Sequence, residues 1–177
     1  MSQRIAVVTG AAGGMGRAIV NALIGDGAKC YGIDISGDGL KEMGSTLGNK
    51  FVGIAIDLTE SDEILSAFKQ IKATEGGVDI LVNNAGTCLM SNFPDVPVAE
   101  FEFQMNLNFN SAFHCSQAAM KLMKGRPGVR KIINISSNGA YNFETFDPPH
   151  YRASKAAMDS LTTVSYTHLT LPTNREV

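Results

Sequence analysis

The sequence predicts an α/β protein built on a doubly wound parallel sheet, and three observations lead there. Short apolar, β-branched runs alternate with longer amphipathic stretches along the chain. The runs are apolar on both faces, as strands covered by helices on each side must be. The length of 177 residues, with 44% hydrophobic content, suits one domain with an ample core.

The elements follow in order. RIAVVTG reads as a buried strand, and GMGRAIVNALIGDG as a helix closed by glycine. KCYGIDI is a second strand and KFVGIAIDL a third. DEILSAFKQIKATEGG has apolar residues three and four apart and predicts a helix. VDILVNNAG is a fourth strand, VAEFEFQMNLNFNSAFHCSQAAMKLMKG one long helix, and RKIINISS a fifth strand. A last helix begins near Pro149. No linker, repeat or low-complexity segment interrupts the chain before Val164.

Bulk properties narrow the function classes. A net charge of −2 gives no reason to expect nucleic acid or an anionic membrane as partner. Cys30, Cys88 and Cys115 form no CxxC and read as reduced thiols, most of them packing as small hydrophobes. His114, His150 and His168 lack metal-ligand spacing. The N-terminus runs almost directly into the first strand, without room for a signal peptide. No apolar run approaches the roughly 20 residues that cross a bilayer. A cytoplasmic location is expected.

TGAAGGMG, Thr9 to Gly16, joins the first strand to a helix. Such a turn aims backbone N–H groups and the positive end of a helix dipole at whatever sits above it, which suits a pyrophosphate. Gly10, Gly14 and Gly16 would permit a tight turn and close approach of phosphates. Glycines alone would be read as a plain strand-to-helix connection. A P-loop is excluded because Arg17 follows Gly16, and G-x-G-x-x-G fails at Ile19. Asp34, closing the second strand, could accept hydrogen bonds from an adenosine ribose or simply start a turn. Its distance from the glycine turn favours the ribose. Asp57, after the third strand, has the same two readings.

YRASK sets Tyr151 and Lys155 four apart near a helix start, hence on one face. A tyrosine hydroxyl, with an ordinary pKa near 10, is a weak acid at neutral pH. A cation beside it favours the phenolate, so the pair can serve as general acid/base. In isolation, Tyr and Lys at this spacing are usually surface neighbours. Ser136 and Ser137, ending the fifth strand, change the balance. Ligands bind at that end of open α/β sheets, and a hydroxyl there can donate to a carbonyl oxygen.

Together these motifs resemble the short-chain dehydrogenase/reductase family, continuously from about Arg4 to Thr163. T-G-x-x-x-G-x-G matches Thr9–Gly16, N-N-A-G matches Asn83–Gly86, and Y-x-x-x-K matches Tyr151–Lys155. The serine of the fifth strand aligns with Ser137. Asn106 and Asn108 both fit the asparagine of the N-L-x-G-x-F pattern, and Asn108 is preferred because Ser111 and Phe113 then fill its small and aromatic positions.

The resemblance implies a Rossmann-type sheet with strand order 3-2-1-4-5 and hydride transfer between a nicotinamide and a secondary alcohol or ketone. Tyr151 would exchange the proton with the substrate oxygen. Lys155 would support Tyr151 and bind the nicotinamide ribose, Ser137 would polarise the carbonyl, and Asn108 would hold a relay water. Gly14–Gly16, chiefly Met15, would face the pyrophosphate. Asp57, Leu58, Asn84, Ala85 and Gly86 would line the adenine and ribose side. NAD is expected rather than NADP, because Asp34 occupies the 2′-phosphate position and no Arg or Lys lies in the glycine turn or just after Asp34. A small-molecule substrate and a homodimer or homotetramer are implied for the intact protein. Alternative functions are a 3-oxoacyl thioester reductase and a non-catalytic dinucleotide-binding redox sensor.

From Val164 the chain reads VSYTHLTLPTNREV, which departs from the family pattern and resembles a translated frame of a transposon-end sequencing adapter. The expected division is therefore an incomplete dinucleotide-binding domain, 1–163, and a foreign tail, 164–177. A tail rich in Thr, with Pro172, is expected to cut short the helix carrying Tyr151 and Lys155, leaving an inactive fragment.

Overall fold

The computed structural model describes residues 3–142 and 146–170, with side chains as far as 163. Five strands form one parallel sheet in the order β3-β2-β1-β4-β5, as expected. They are β1 (Ile5–Thr9), β2 (Lys29–Asp34), β3 (Phe51–Ala55), β4 (Ile80–Asn83) and β5 (Lys131–Asn134). The helices are α1 (Gly14–Gly25), α2 (Gly37–Leu47), α3 (Ser61–Glu75), α4 (Val98–Met105), α5 (Ser111–Met123) and α6 (Pro149–Thr170).

Successive strand residues point to opposite faces, so β1 feeds two cores. Ala6 and Val8 pack with Val20, Leu40, Met43 and Phe51 on the side of α1 and α2. Ile5 and Val7 pack with Tyr31, Ile64, Phe68, Leu81, Cys115 and Met123 on the side of α3 and α5. Each large apolar side chain so buried contributes roughly 1.5–3 kcal/mol. All five strands point the same way, and their C-terminal ends leave Thr9, Asp34, Asn83 and Asn134 along one rim.

Three features differ from expectation. Helix α2 forms although Gly37, Gly39 and Gly44 each disfavour it by about 1 kcal/mol relative to alanine. The Ser36 hydroxyl caps it by accepting from the Gly39 N–H at 3.2 Å, and burial of Leu40 and Met43 supplies the rest. The single long helix expected over 98–125 is broken. Between α4 and α5, Asn106–Asn110 forms a π-helical turn in which the Ser111 N–H donates to the Asn106 carbonyl, five residues back. Finally, α6 continues as helix to Thr170. The backbone is therefore not cut short at 163, while 171–177 lie outside the described residues.

The far end of the sheet is tied by charge. Arg126 makes two hydrogen bonds to Asp79, at 2.6 and 2.7 Å, and Asp79 also accepts from the Ile5 N–H at 2.8 Å. Glu75 accepts from Lys29 and from the Tyr31 hydroxyl, both at 2.6 Å. These contacts fix the N-terminal ends of β1, β2 and β4, leaving the opposite rim for ligands.

Candidate active site

A cleft of about 440 Å³ opens on the C-terminal rim, lined at one end by Gly10, Gly14, Met15, Gly16 and Asp34 and at the other by Ser136, Tyr151 and Lys155. A second cleft of about 240 Å³ adjoins it through Gly10, Asp34, Ala85 and Gly86, and is walled by Asp57, Leu58 and Leu107. The pair forms a long trough from the edge of β3 to the start of α6.

The glycine turn is shaped by close approach. Gly10 has φ +63°, and a Cβ there would stand 2.9 Å from the Ala85 Cα. A Cβ on Gly16 would overlap the Gly10 carbonyl oxygen. Gly14 differs, because nothing lies within 4 Å of its missing Cβ. Gly14 and the exposed Met15 both line the trough.

The Asn83–Gly86 segment holds this turn in place. Thr9 Oγ1 accepts from the N–H groups of Asn84 and Ala85, both at 3.0 Å. The Asn84 side chain donates to the carbonyls of Thr9 and Gly10, at 2.9 and 3.1 Å. Asn84 is thus committed to bracing β1 against β4.

Asp34 accepts from the Ala12 N–H on one oxygen and the Ser36 N–H on the other, each at 2.9 Å. A carboxylate oxygen has two lone pairs, so each can still accept a ribose hydroxyl. Asp57 also accepts two hydrogen bonds, both on Oδ1, from the Thr59 N–H and hydroxyl at 2.8 Å. Leu58 beside it is buried.

At the other end, Lys155 is only 5% exposed. Its Nζ donates to the Ile135 carbonyl at 2.8 Å and lies 5.9 Å from the Tyr151 ring centroid. Burial holds the ammonium below the usual lysine range, while Asp159 pulls the other way. Asn108, not Asn106, is fully buried beside this lysine. Its Oδ1 accepts from the Thr87 N–H, and its Nδ2 donates to the Thr87 carbonyl and Ser154 hydroxyl, at 2.8, 2.8 and 3.0 Å. Asn106 instead accepts from Asn110 at 2.6 Å. The π turn rotates Asn108 inward, and such turns recur at functional positions.

The strand-end serines make different contacts. Ser136 lines the cleft and donates to the Lys155 carbonyl at 3.4 Å. The Ser137 hydroxyl accepts from the Gly139 N–H at 3.1 Å. Two neighbours had no signal in the sequence. Cys88 lines the cleft, exposed, next to Thr87. Arg17, one residue beyond the glycine turn, folds back onto it, with Nε donating to the Ala12 carbonyl at 2.9 Å. A cation therefore stands beside the turn although no basic residue lies within it.

The fold and this trough define a doubly wound α/β domain with a nucleotide-sized cleft at its C-terminal rim. The model of the short chain dehydrogenase family matches residues 4–170, and the chain belongs to that family, whose members are oxidoreductases that bind nicotinamide cofactors. It is 38% identical over 135 residues to the 3-oxoacyl-(acyl-carrier-protein) reductase FabG of Salmonella typhimurium, covering 76% of this chain and 54% of that protein. An uncharacterized oxidoreductase of Staphylococcus aureus is 31% identical over 163 residues, covering 92% of this chain and 70% of the relative. A short-chain dehydrogenase of Streptomyces avermitilis superposes with a TM-score of 0.85 at 29% identity, over 93% of this chain and 60% of that one. A Brucella melitensis short-chain dehydrogenase/reductase gives 0.87 at 28% identity, over 95% and 70%. The chain thus spans about half of the FabG relative's length. Among the described residues, no helix is long and apolar enough to cross a membrane.

Proposed function

We propose that this chain is the catalytic and cofactor-binding part of an NAD-dependent oxidoreductase that interconverts a secondary alcohol and a ketone. The observation that carries the reading is the single trough with Asp34 and the glycine turn at one end and Tyr151 with the buried Lys155 at the other. The residues fit a dinucleotide. Gly14 leaves open space where a side chain would stand, and a Cβ on Gly86 would press to 3.1 Å from Asn108 Oδ1 and 3.5 Å from Lys155 Nζ. A bound nicotinamide supplies or accepts the hydride.

The chain's own residues handle binding and the proton. Tyr151 Oη gives a proton to the substrate oxygen in reduction and takes it back in oxidation. Lys155, held at its tip by Ile135, stabilises negative charge on Tyr151 Oη and meets the nicotinamide ribose. Ser137, whose hydroxyl accepts from Gly139, orients its own proton toward the substrate carbonyl, and Ser136 buttresses it from β5. Asn108 fixes Thr87 and α6 around the lysine and supports the proton relay. Gly14, Met15 and Gly16 face the pyrophosphate. Asp34 accepts the ribose hydroxyls, while Asp57, Leu58 and Ala85 wall the adenine.

Asp34 also underlies the preference for NAD. A 2′-phosphate near its carboxylate would meet a like charge, and two unit charges about 4 Å apart repel by roughly 4 kcal/mol at an effective dielectric of 20. Half of that is about thirtyfold in specificity. The kinship with FabG supports a second substrate class, a 3-oxoacyl thioester. A cytoplasmic location, a homodimer or homotetramer, and a foreign origin for residues 164–177 belong to the same proposal; resequencing the gene tests the last. The activity test is oxidation of NADH and NADPH with ketones and acetoacetyl-CoA by the full-length product of the native gene. Turnover with NADH above that with NADPH is expected, and no turnover with any carbonyl would contradict the proposal.

A further inference from the structure

We propose that Arg17 and Glu42 form a second determinant of cofactor choice beside Asp34, with Glu42 holding the Arg17 guanidinium away from a 2′-phosphate. The proposal rests on the dinucleotide reading above.

Three contacts place the pair. Arg17 Nε donates to the Ala12 carbonyl at 2.9 Å, and Arg17 Nη2 donates to Glu42 Oε2 at 2.8 Å. The N–H of the same Ala12 donates to Asp34 Oδ2 at 2.9 Å. One residue therefore separates the cation from the carboxylate expected to hold the ribose. The first turn of α2 closes the cluster. A Cβ on Gly39 would stand 2.9 Å from the Ala12 Cβ, 3.0 Å from Ser36 Oγ and 3.5 Å from Arg17 Nη2. Ser36 in turn donates its N–H to Asp34. Ala12 thus links the guanidinium to Asp34, and the first turn of α2 packs against it.

Charge gives this cluster its effect. A guanidinium presents a planar fork suited to phosphate oxygens. Here the fork is turned to Glu42, whose carboxyl Arg17 holds below the usual range, first by the hydrogen bond and then by its charge. Glu42 is therefore ionised at neutral pH. Asp34 and Glu42 set two negative charges against one positive charge where a 2′-phosphate would arrive. The side chains of Arg17 and Glu42 are 35% and 69% exposed. An exposed pair contributes little to stability, so it can be opened without harming the fold.

The test is calorimetric titration of the full-length product of the native gene with NAD+ and with NADP+, which needs no substrate. Glu42→Gln should strengthen NADP+ relative to NAD+ by about three- to tenfold, with melting temperature unchanged, and the gain should shrink as salt rises. Asp34→Asn with Glu42→Gln should exceed either alone. Adding Arg17→Met to Glu42→Gln should erase the gain. An unchanged ratio in Glu42→Gln, or a gain that survives Arg17→Met, would overturn the role of this pair while leaving the function proposed above intact. A wild-type chain that binds neither dinucleotide would overturn both.

Discussion

Lys155 Nζ donates to the Ile135 carbonyl, so the lysine of α6 is anchored at its tip by the residue that follows β5. Its charge is thereby kept in a buried place, and burial lowers its pKa from the ordinary value. The sign for stability follows. Between the folded and the unfolded pKa, the unfolded chain binds more protons, so the contribution of this site to stability rises with pH across that window. Lys155→Met should remove this rise. Chemical denaturation from pH 7 to pH 10 should show the wild type gaining on the variant, and a gap that is flat or narrows would contradict the burial of a charged lysine.

Gly16 and Gly14 should separate folding from binding. The Cβ of Gly16→Ala would meet backbone at Gly10 and Ala11, which has little room to yield. A cost at or above the 1–3 kcal/mol usual for overpacking is expected, with a lower melting temperature. Gly14→Ala finds open space and should melt near the wild type, but its methyl would enter the trough and weaken NAD+ binding by about tenfold or more. Melting curves and NAD+ titration on both variants check this. Unaltered NAD+ binding in Gly14→Ala would remove that glycine from the phosphate site.

Much of this arrangement was legible in the chain because its signals are local. Continuous apolar runs gave the strands, and the glycine turn gave the rim on which ligands gather. The rest depended on tertiary contacts. Helix α2 is glycine-rich and forms through a serine cap and the burial of Leu40 and Met43, neither of which periodicity weighs. The π turn at Asn106–Asn110 contains neither Gly nor Pro and breaks the long helix without a sequence signal. The contacts that the strand-end serines make depend on how the chain leaves β5, with Ser136 donating to the Lys155 carbonyl and Ser137 accepting from the Gly139 N–H. Arg17 looked like an ordinary helix residue because its partner, Glu42, is brought near only by the fold.

The Arg126–Asp79 pair should govern acid stability. Burial pushes the Asp79 carboxyl up, but hydrogen bonds from Arg126 and the Ile5 N–H outweigh it and hold the pKa below the usual range. Stability from this group is present above the ordinary carboxylate pKa near 3.9 and is lost as pH falls through the lower folded value. Arg126→Met would strand a buried charge, at a cost of roughly 3–5 kcal/mol near neutral pH. The gap to wild type should narrow below about pH 4. Equal stability at pH 7 would show the pair to be dispensable.

The most direct measurement is Tyr151→Phe in the full-length product of the native gene, followed by turnover and by NAD+ affinity on the same sample. The change removes one oxygen and leaves the ring near Lys155. Turnover should fall by about 10²–10⁴-fold, as for loss of a general acid, while NAD+ affinity stays within about twofold. A phenylalanine variant that turns over like the wild type would contradict proton transfer by Tyr151.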